Sequence, residues 1–301
     1  MTSEGTWRRR FPLASWETAG VAMAAVFLAL ILALAGPGGS AWPTGMEAFC
    51  YWVPGLSDPY VASNWTASLA YVYSPAFLQA LAPLKILPWP QFLAIWTVGL
   101  LLAVRWLSGP RLWAAAIVFA TLELAGGNIH LLLAVAIVAG FRWPAAWAVV
   151  LLTKVTPGIG LLWFAVRREW GNLAIALGAT AFVVIVSFMV APQAWADWTG
   201  VLLASAAKTT GTWTAVPVPL AIRLPAAVAI VVWGARTDRR WTVPIAAMLA
   251  LPALWFGGLA MLLAVIPLRE RAAPQRAPSG SAAEAARGPR LRPMPGAAQA
   301  S

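Results

Sequence analysis

Long apolar runs alternate with short polar stretches along almost the whole chain, from Thr18 to Leu268. The first run, Thr18 to Gly36, has about nineteen residues, which reach roughly 28 Å as a helix and so cross the hydrocarbon core of a bilayer. Later runs are shorter, and prolines divide several of them into pairs, which is typical of broken or tilted membrane helices. This pattern predicts an all-α, polytopic membrane helix bundle that occupies residues 18–268 as one domain.

Both ends of the chain differ from the apolar bundle. Three arginines, Arg8 to Arg10, precede the first run, and Ala33-Leu34-Ala35 near its end resembles a signal-peptide cleavage site. Because the run is long enough to span and further runs follow, we interpret it as an uncleaved helix, with residues 1–17 as a cytoplasmic basic N-terminus. Residues 269–301 are rich in Ala, Pro, Gly and Arg without periodicity, which predicts a disordered basic cytoplasmic tail that contacts anionic lipid.

The first loop of the predicted bundle, residues 37–74, contains no basic residue. Its only charged side chains are those of Glu47 and Asp58. Since basic residues mark the cytoplasmic side, this long loop is predicted to lie on the outer face. The YVYSP motif that closes the loop is expected to place its tyrosines at the membrane interface and to begin a short helix at the Ser-Pro step.

The segment after the outer loop has two possible directions. Pro88-Trp89-Pro90 separates a short apolar piece from the next run, so the first piece is predicted to be a tilted or partly re-entrant helix. Arg105 and Arg111 predict an inward connection, which conflicts with simple alternation from the outer loop. The topology between Lys85 and Gly127 therefore stays open, and Lys85 itself is interpreted as snorkelling to the cytoplasmic interface.

Basic residues also predict which later connections face the cytoplasm. They stand at Arg142, Arg167, Arg168, Arg236, Arg239 and Arg240. The segment between Arg142 and Arg167 is too short for two full spans and contains Lys154 and Pro157 midway. It is therefore predicted to be a helical hairpin with Lys154 at its apex. Residues 192–213 are expected to form an outer loop, and the last apolar run is predicted to break at Leu251-Pro252.

The composition excludes several classes of protein. With 61% hydrophobic residues, 10% charged residues and a mean hydropathy of +0.75, the chain is not a water-soluble domain. The net charge of +11 lies beside apolar runs and in the tail, so no nucleic-acid partner is predicted. One His and one Cys cannot build a metal shell, and no glycine-rich phosphate loop is present, so neither a metal nor a cofactor is expected.

Polar and ionisable groups inside a membrane bundle are costly, so they indicate where function resides. Lys154 is expected either to pair with an acid such as Glu123 or to meet a substrate phosphate. Asn128 and His130 follow Gly126-Gly127 at a helix start, where backbone N–H groups suit an anion, although Asn128 alone can cap the helix.

Several of these residues belong to motifs that together resemble a known family. In chain order, from about Glu47 to Trp170, the motifs are MEAFCYW, LSDPY, YVYSPAFLQALAPLKILPW, GNIHLLL and LLTKVTPGIGLLWFAVRREW. They are similar to those of glycosyltransferase family 87, whose members are largely actinobacterial membrane mannosyltransferases with the C-type glycosyltransferase fold. After Gly171 the resemblance is weaker.

The resemblance implies a reaction and roles for individual residues. Family members use polyprenyl-phosphate mannose, a donor that is already activated, so no nucleotide site is needed. One carboxylate must take the proton of the acceptor hydroxyl, and the resemblance points to Glu47, with Asp58 as the alternative catalytic residue. The implied substrate-binding residues are Tyr51, Tyr73, Asn128, His130 and Lys154.

Two departures from the family pattern bear on activity and on the identity of the sugar. Glu47 stands where the family usually has Asp, and its side chain reaches one methylene further. Trp255 lies in a late motif that normally carries His after the Trp, whereas here Phe256 and Gly257 follow.

The leading hypothesis is a multi-pass glycosyltransferase of the bacterial cytoplasmic membrane. It transfers a hexose, mannose by the resemblance, from a polyprenyl-phosphate sugar donor to a glycan or glycolipid acceptor at the outer face, and membrane lipids are its other expected partners. One alternative is a small-molecule or lipid transporter, because transporters also use broken helices and buried polar residues. Another is a non-catalytic relative that serves as a partner subunit.

Overall fold

The computed structural model describes residues 13–35, 44–56, 58–60, 71–206 and 218–270. Predictions for the basic residues before position 13, for much of the outer loop and for the tail after position 270 lie outside the described residues. Within them every regular element is a helix, as predicted for an all-α bundle. The α-helices are α1 (Leu13–Leu34), α2 (Met46–Trp52), α3 (Pro75–Lys85), α4 (Trp89–Phe119), α5 (Thr121–Gly126), α6 (His130–Gly140), α7 (Trp147–Thr153), α8 (Leu162–Val166), α9 (Trp170–Val190), α10 (Pro192–Ala206), α11 (Leu220–Arg236), α12 (Thr242–Leu249) and α13 (Val265–Glu270). Three 3₁₀ segments lie between them, at Pro144–Ala146, Thr156–Leu161 and Phe256–Ala264.

Among the described helices, three are long and apolar enough to cross a membrane: Ala14–Leu34, Trp89–Phe119 and Trp170–Val190. Helix α9 exposes a row of large apolar side chains, of which Phe182 and Met189 are examples. A water-soluble monomer rarely exposes so continuous an apolar surface. This surface is typical of a helix that faces lipid.

Helix α4 is bent in its middle, where Gly109 has φ 70° and ψ 173°. Glycine adopts positive φ without steric cost, and Pro110 suits the first position of the second arm. The chain reverses its direction at this bend. The evidence is a hydrogen bond between residues 31 positions apart: the indole N–H of Trp96 in the first arm donates to the carbonyl oxygen of Gly127, which follows the second arm, at 2.7 Å. The two arms therefore run in opposite directions.

Arg105 precedes this bend and fixes its position in the bundle. Its Nε donates to Oε1 of Glu17, near the start of α1, at 2.8 Å. The bend thus lies at the end of the bundle where α1 begins, which resolves the topology that the sequence leaves open. The connection that Arg105 predicts is a real chain reversal, placed before α5 and α6.

Other arginines collect at the same end of the bundle, which we call the arginine end. Arg142 follows α6, and the guanidinium of Arg240, after α11, lies 5.5 Å from the centre of the Phe141 ring. Arg167, after α8, donates to the carbonyl oxygen of Ala235 at 3.2 Å. Three chain reversals therefore meet here, as predicted from the basic residues.

The opposite end of the bundle, which we call the site end, is built from short elements. The ammonium group of Lys85 at the end of α3 donates to the carbonyl oxygens of Tyr51, at 2.9 Å, and of Trp52 at the end of α2. The expectation that Lys85 snorkels to the cytoplasmic interface is therefore wrong. Its charge instead satisfies carbonyl groups that the last turn of α2 leaves without a helical partner.

Two further expectations are corrected. Tyr71 and Tyr73 are only 1% and 5% exposed, so they are not interfacial anchors. Their hydroxyl groups find partners inside the protein, which removes the need to reach water. The first part of the expected outer loop at 192–213 is a helix, α10, whose Trp195 donates to the hydroxyl oxygen of Ser187 in α9 at 3.0 Å.

The last apolar run breaks where Leu251-Pro252 predicts, between α12 and the 3₁₀ segment Phe256–Ala264. The guanidinium of Arg223 in α11 closes the break by donating to the carbonyl oxygens of Leu249 and Leu251 at 2.8 Å and of Pro252 at 2.9 Å. Sequence reasoning missed this residue. The signal was an arginine inside an apolar helix, where a charge requires internal partners.

Candidate functional site

A glycine turn between α5 and α6 is the base of the site. Gly127 has φ 70° and ψ 32°, and a Cβ at this position would lie 2.8 Å from the Cβ of Ala48 in α2. Only glycine meets both conditions without strain. The backbone N–H of Gly45, just before α2, donates to the carbonyl oxygen of Ala125 at 2.7 Å. Helix α2 is therefore held directly against the glycine turn.

This contact places Glu47, in the first turn of α2, above the turn. Its side chain is partly buried, and its Cγ lies 3.8 Å from where a Cβ on Gly126 would stand. The carboxylate makes no hydrogen bond to any other described residue. Burial raises the pKa of the Glu47 carboxyl above its ordinary value, while the Lys154 ammonium opposes this rise and Glu123 adds to it. A carboxylate with free oxygens can accept a proton from a bound hydroxyl group.

Tyr51 lies one helical turn after Glu47 and joins α2 to two other segments. Its hydroxyl donates to Oδ1 of Asn128 at 3.2 Å and lies 3.2 Å from the hydroxyl of Tyr73. The two tyrosine rings pack edge to face with their centres 5.2 Å apart. Asn128 Oδ1 also accepts the backbone N–H of Ile129 at 2.7 Å, so its amide group is fixed in orientation.

Ser74 holds the Tyr73 segment in place. Its hydroxyl donates to the carbonyl oxygen of Leu152 in α7 and accepts the N–H of Phe77 at 3.4 Å as the N-cap of α3. The predicted start of a helix at Ser74-Pro75 is thus confirmed. These contacts bring Tyr73 next to the end of α7, where Lys154 begins the turn.

Three ionisable side chains form a hydrogen-bond chain beneath the turn. Glu123 Oε2 lies 2.9 Å from Nδ1 of His130, and Nε2 of His130 lies 3.1 Å from the Lys154 ammonium. Because the ammonium can only donate, Nε2 must accept, and the ring proton is then on Nδ1, where it donates to the carboxylate. The imidazole is therefore the neutral Nδ1–H tautomer, and it links the acid to the lysine.

Lys154 lies at the apex of the predicted hairpin, in extended backbone after α7. Its ammonium lies 5.6 Å from the centre of the Tyr73 ring, and the residue as a whole is partly buried. Within the described ranges no carboxylate oxygen is within 4 Å of it. The predicted pairing of Lys154 with Glu123 is thus indirect, through His130, and the ammonium retains donors that a ligand can use.

The start of α6 is not open to an anion in the way that the sequence suggested. The backbone N–H of His130 donates to Oε1 of Glu123 at 2.6 Å, so the protein's own carboxylate occupies this helix end. The Glu123 side chain therefore uses both oxygens. The sequence analysis did not predict that Glu123 accepts the backbone N–H at the start of α6. The available signal was an acidic residue in an apolar stretch, seven residues before a histidine.

Gly257 and Gly258 pack against the hydrogen-bonded side chains of Glu123 and His130. A Cβ on Gly257 would lie 2.7 Å from Oε2 of Glu123, and one on Gly258 would lie 3.9 Å from Cε1 of His130. The position after Phe256 therefore has no room for a larger side chain while Glu123 keeps its place.

Asp58, the second candidate base, is exposed. Its neighbour Tyr60 donates to the carbonyl oxygen of Tyr73 at 2.6 Å, which ties the Asp-Pro-Tyr motif to the site. The structure thus brings six of the seven predicted site residues together. Their roles in binding and catalysis stay predictions.

Comparison with known protein families gives a match over most of the chain. The sequence model of glycosyltransferase family 87 matches residues 71–285, well over half of the 301-residue chain. The match continues far beyond Gly171, where the individual motifs become weak, and it begins after Glu47, Tyr51 and Asp58. No curated protein matches the chain, and no solved structure matches it.

Proposed function

The chain belongs to glycosyltransferase family 87, and from this premise we propose that it transfers a hexose, specifically mannose, from a polyprenyl-phosphate donor to a glycan or glycolipid of the cell envelope. The observation that carries the proposal is the placement of Glu47, whose carboxylate lies over the glycine turn without a hydrogen bond to any described residue and whose charge acts on the Lys154 ammonium. The two groups supply the base and the cation that this transfer requires.

In the proposed reaction, a hydroxyl oxygen of the acceptor attacks the anomeric carbon of the donor sugar. The bond between that carbon and the phosphate oxygen breaks, and polyprenyl phosphate leaves with the electron pair. The acceptor proton passes to the Glu47 carboxylate. The Lys154 ammonium stabilises the negative charge that grows on the departing phosphate. In this proposal, Asn128, Tyr51 and Tyr73 bind hydroxyl groups of the sugar.

The depth of the site supports a lipid-linked donor. Helix α6 has 11 residues from His130 to Gly140, which rise about 16 Å, or roughly half of the 30 Å hydrocarbon core of a bilayer. If the arginine end lies at one interface, Lys154 lies at membrane depth. A phosphate on a membrane lipid reaches that level more easily than a soluble nucleotide sugar does.

The arginine end supports the orientation. Basic residues favour the cytoplasmic side, so the site end faces outward. Cell-envelope glycans and glycolipids are assembled on that side, and we therefore place the reaction at the outer face of the cytoplasmic membrane.

The test is transfer by the purified protein in liposomes. We expect labelled mannose to move from polyprenyl-phosphate mannose to an envelope glycolipid extract, and we expect no transfer from a nucleotide-linked mannose under the same conditions. Glu270→Gln, at an exposed acid on α13 far from the site, serves as the control and should transfer like the wild type. Absence of transfer from every polyprenyl-phosphate hexose, in protein that is folded, would refute the proposal.

A further inference from the structure

Both oxygens of the Glu123 side chain accept a hydrogen bond from His130. Oε1 accepts the backbone N–H of His130 at 2.6 Å, and Oε2 accepts the ring Nδ1–H at 2.9 Å. Glu123 and His130 are 1% and 0% exposed, so water does not replace either partner. In this geometry the two donors of His130 require one acceptor oxygen each at position 123.

An amide at this position meets only half of that requirement. Glutamine has one acceptor oxygen and one NH₂ donor. If the oxygen accepts the backbone N–H, the NH₂ group faces Nδ1, and the ring must move its proton to Nε2. Nε2–H would then point at the Lys154 ammonium, so two donors would face each other at the 3.1 Å contact.

The Lys154 ammonium depends on the Nε2 acceptor for its direction. The ammonium also lies 5.6 Å from the centre of the Tyr73 ring. This cation–π contact attracts the charge but does not fix the direction of the N–H donors. Glu47 acts on Lys154 through its charge, without a hydrogen bond. The His130 ring is thus the group that sets where the remaining N–H donors point.

We infer that Glu123 and His130 are a positioning pair: Glu123 holds His130 in the Nδ1–H tautomer, so that Nε2 accepts from Lys154 and aims the ammonium at the donor phosphate. The direction of the ammonium toward phosphate rests on the proposed function, whereas the tautomer does not. Neither residue of the pair needs to touch the reacting atoms.

The tautomer is measurable without activity because the chain has a single histidine. Protein labelled with ¹⁵N in the imidazole ring and purified through a tag that lacks histidine gives NMR signals from His130 alone. We expect Nδ1 to carry the proton and Nε2 to be unprotonated in the wild type, and the proton to move to Nε2 in Glu123→Gln. A wild-type ring that is protonated at Nε2, or at both nitrogens, overturns the inference whatever the variant does.

Two substitutions at position 130 separate positioning from packing. The amide of His130→Gln reaches the place of Nε2 and can still accept from Lys154, whereas that of His130→Asn reaches only the place of Nδ1. We expect the KM for the lipid-linked donor to rise about tenfold or more in His130→Asn and Glu123→Gln, to change much less in His130→Gln, and the acceptor KM to stay constant in all three. Equal effects of Gln and Asn, or effects on the acceptor KM alone, contradict the inference.

The two proposals fail in different ways. A wild-type protein that transfers no sugar overturns the proposed function and, with it, the aim at a donor phosphate, while the NMR spectrum still decides the tautomer. A wild-type protein that transfers sugar with the opposite tautomer overturns the positioning pair alone.

Discussion

At the scale of single residues, the site depends on a few polar groups whose bonding is unusually complete. Glu123, His130 and Asn128 are buried, and their partners fix both tautomer and amide orientation. Glu47 differs, because its carboxylate is free of hydrogen bonds to the rest of the described chain. The group proposed to react is therefore the one that the fold leaves uncommitted.

The pKa of Glu47 leads to a prediction of pH dependence. A general base acts in its ionised form, so kcat/KM should be full above the pKa of Glu47 and fall as the pH decreases through it. Since burial raises that pKa above the ordinary value of 4.5, the fall should begin at a higher pH than for an exposed glutamate. A rate profile in liposomes checks this. Activity that stays constant down to pH 4.5 contradicts it.

Single residues of the candidate site were partly predictable from the sequence. The cost of polar groups in lipid singled out Asn128, His130 and Lys154, and the structure brings them together. The order of the contacts was not predictable, because a pairing of Lys154 with Glu123 satisfies the same charges as the observed path through His130. Choosing between them requires the geometry of the glycine turn, which spacing alone does not encode.

At the scale of elements, the glycine turn joins α2 to the start of α6. Gly127→Ala should destabilise the protein by about 1–3 kcal/mol, because the backbone has positive φ and the new Cβ would lie 2.8 Å from Ala48. Gly99→Ala in α4 is the matched control, since a Cβ there has no neighbour within 4 Å and alanine favours the helix. Thermal unfolding in detergent compares the two. Equal melting temperatures would show that α2 does not depend on this turn.

The break after α12 gives a second prediction at this scale. Arg223→Lys should destabilise the protein by about 3 kcal/mol, because an ammonium cannot replace the guanidinium that reaches three carbonyl oxygens of residues 249–252. Arg236→Lys, an exposed position on the same helix, is the control and should melt like the wild type. If both variants unfold at one temperature, the guanidinium does not hold the break.

Elements were predictable where a local signal was strong. The Ser74-Pro75 start of α3 and the Leu251-Pro252 break follow from proline chemistry and are confirmed. Helix α10 was missed because residues 192–213 were interpreted as an outer loop, whereas Trp195 and Trp198 of this helix are buried. Lys85 was misplaced because nothing in its own neighbourhood indicates that α2 ends beside it.

At the scale of the whole molecule, the fold places two groups of ionisable residues at opposite ends of the bundle. Arginines gather where the chain reverses between α6 and α7, α8 and α9, and α11 and α12, and the acid, histidine and lysine gather at the other end. The all-α bundle and most of its reversals were predictable from hydropathy and basic residues. Arg105 and Arg111 predicted the inward connection that the bend of α4 at Gly109 forms, but its conflict with simple alternation could be resolved only from the contact of Trp96 with the glycine turn.

The predicted orientation can be measured by labelling. Cys50 is buried, and after its replacement by Ala a single new cysteine reports one side of the membrane. We expect Gln193→Cys, at an exposed position of α10, to react with an impermeant maleimide in intact cells, and Glu270→Cys at the end of α13 to react only after lysis. The reverse pattern would place the site end in the cytoplasm.

The most direct measurement of the central claim is the single-turnover rate of sugar transfer by Glu47→Gln beside the wild type, in liposomes saturated with polyprenyl-phosphate mannose. Loss of the base should slow the chemical step by about 10²–10⁴-fold, while glutamine keeps the shape of the side chain and donor binding persists. Transfer by Glu47→Gln at the wild-type rate would contradict the account, because the carboxylate over the glycine turn would then have no part in the reaction.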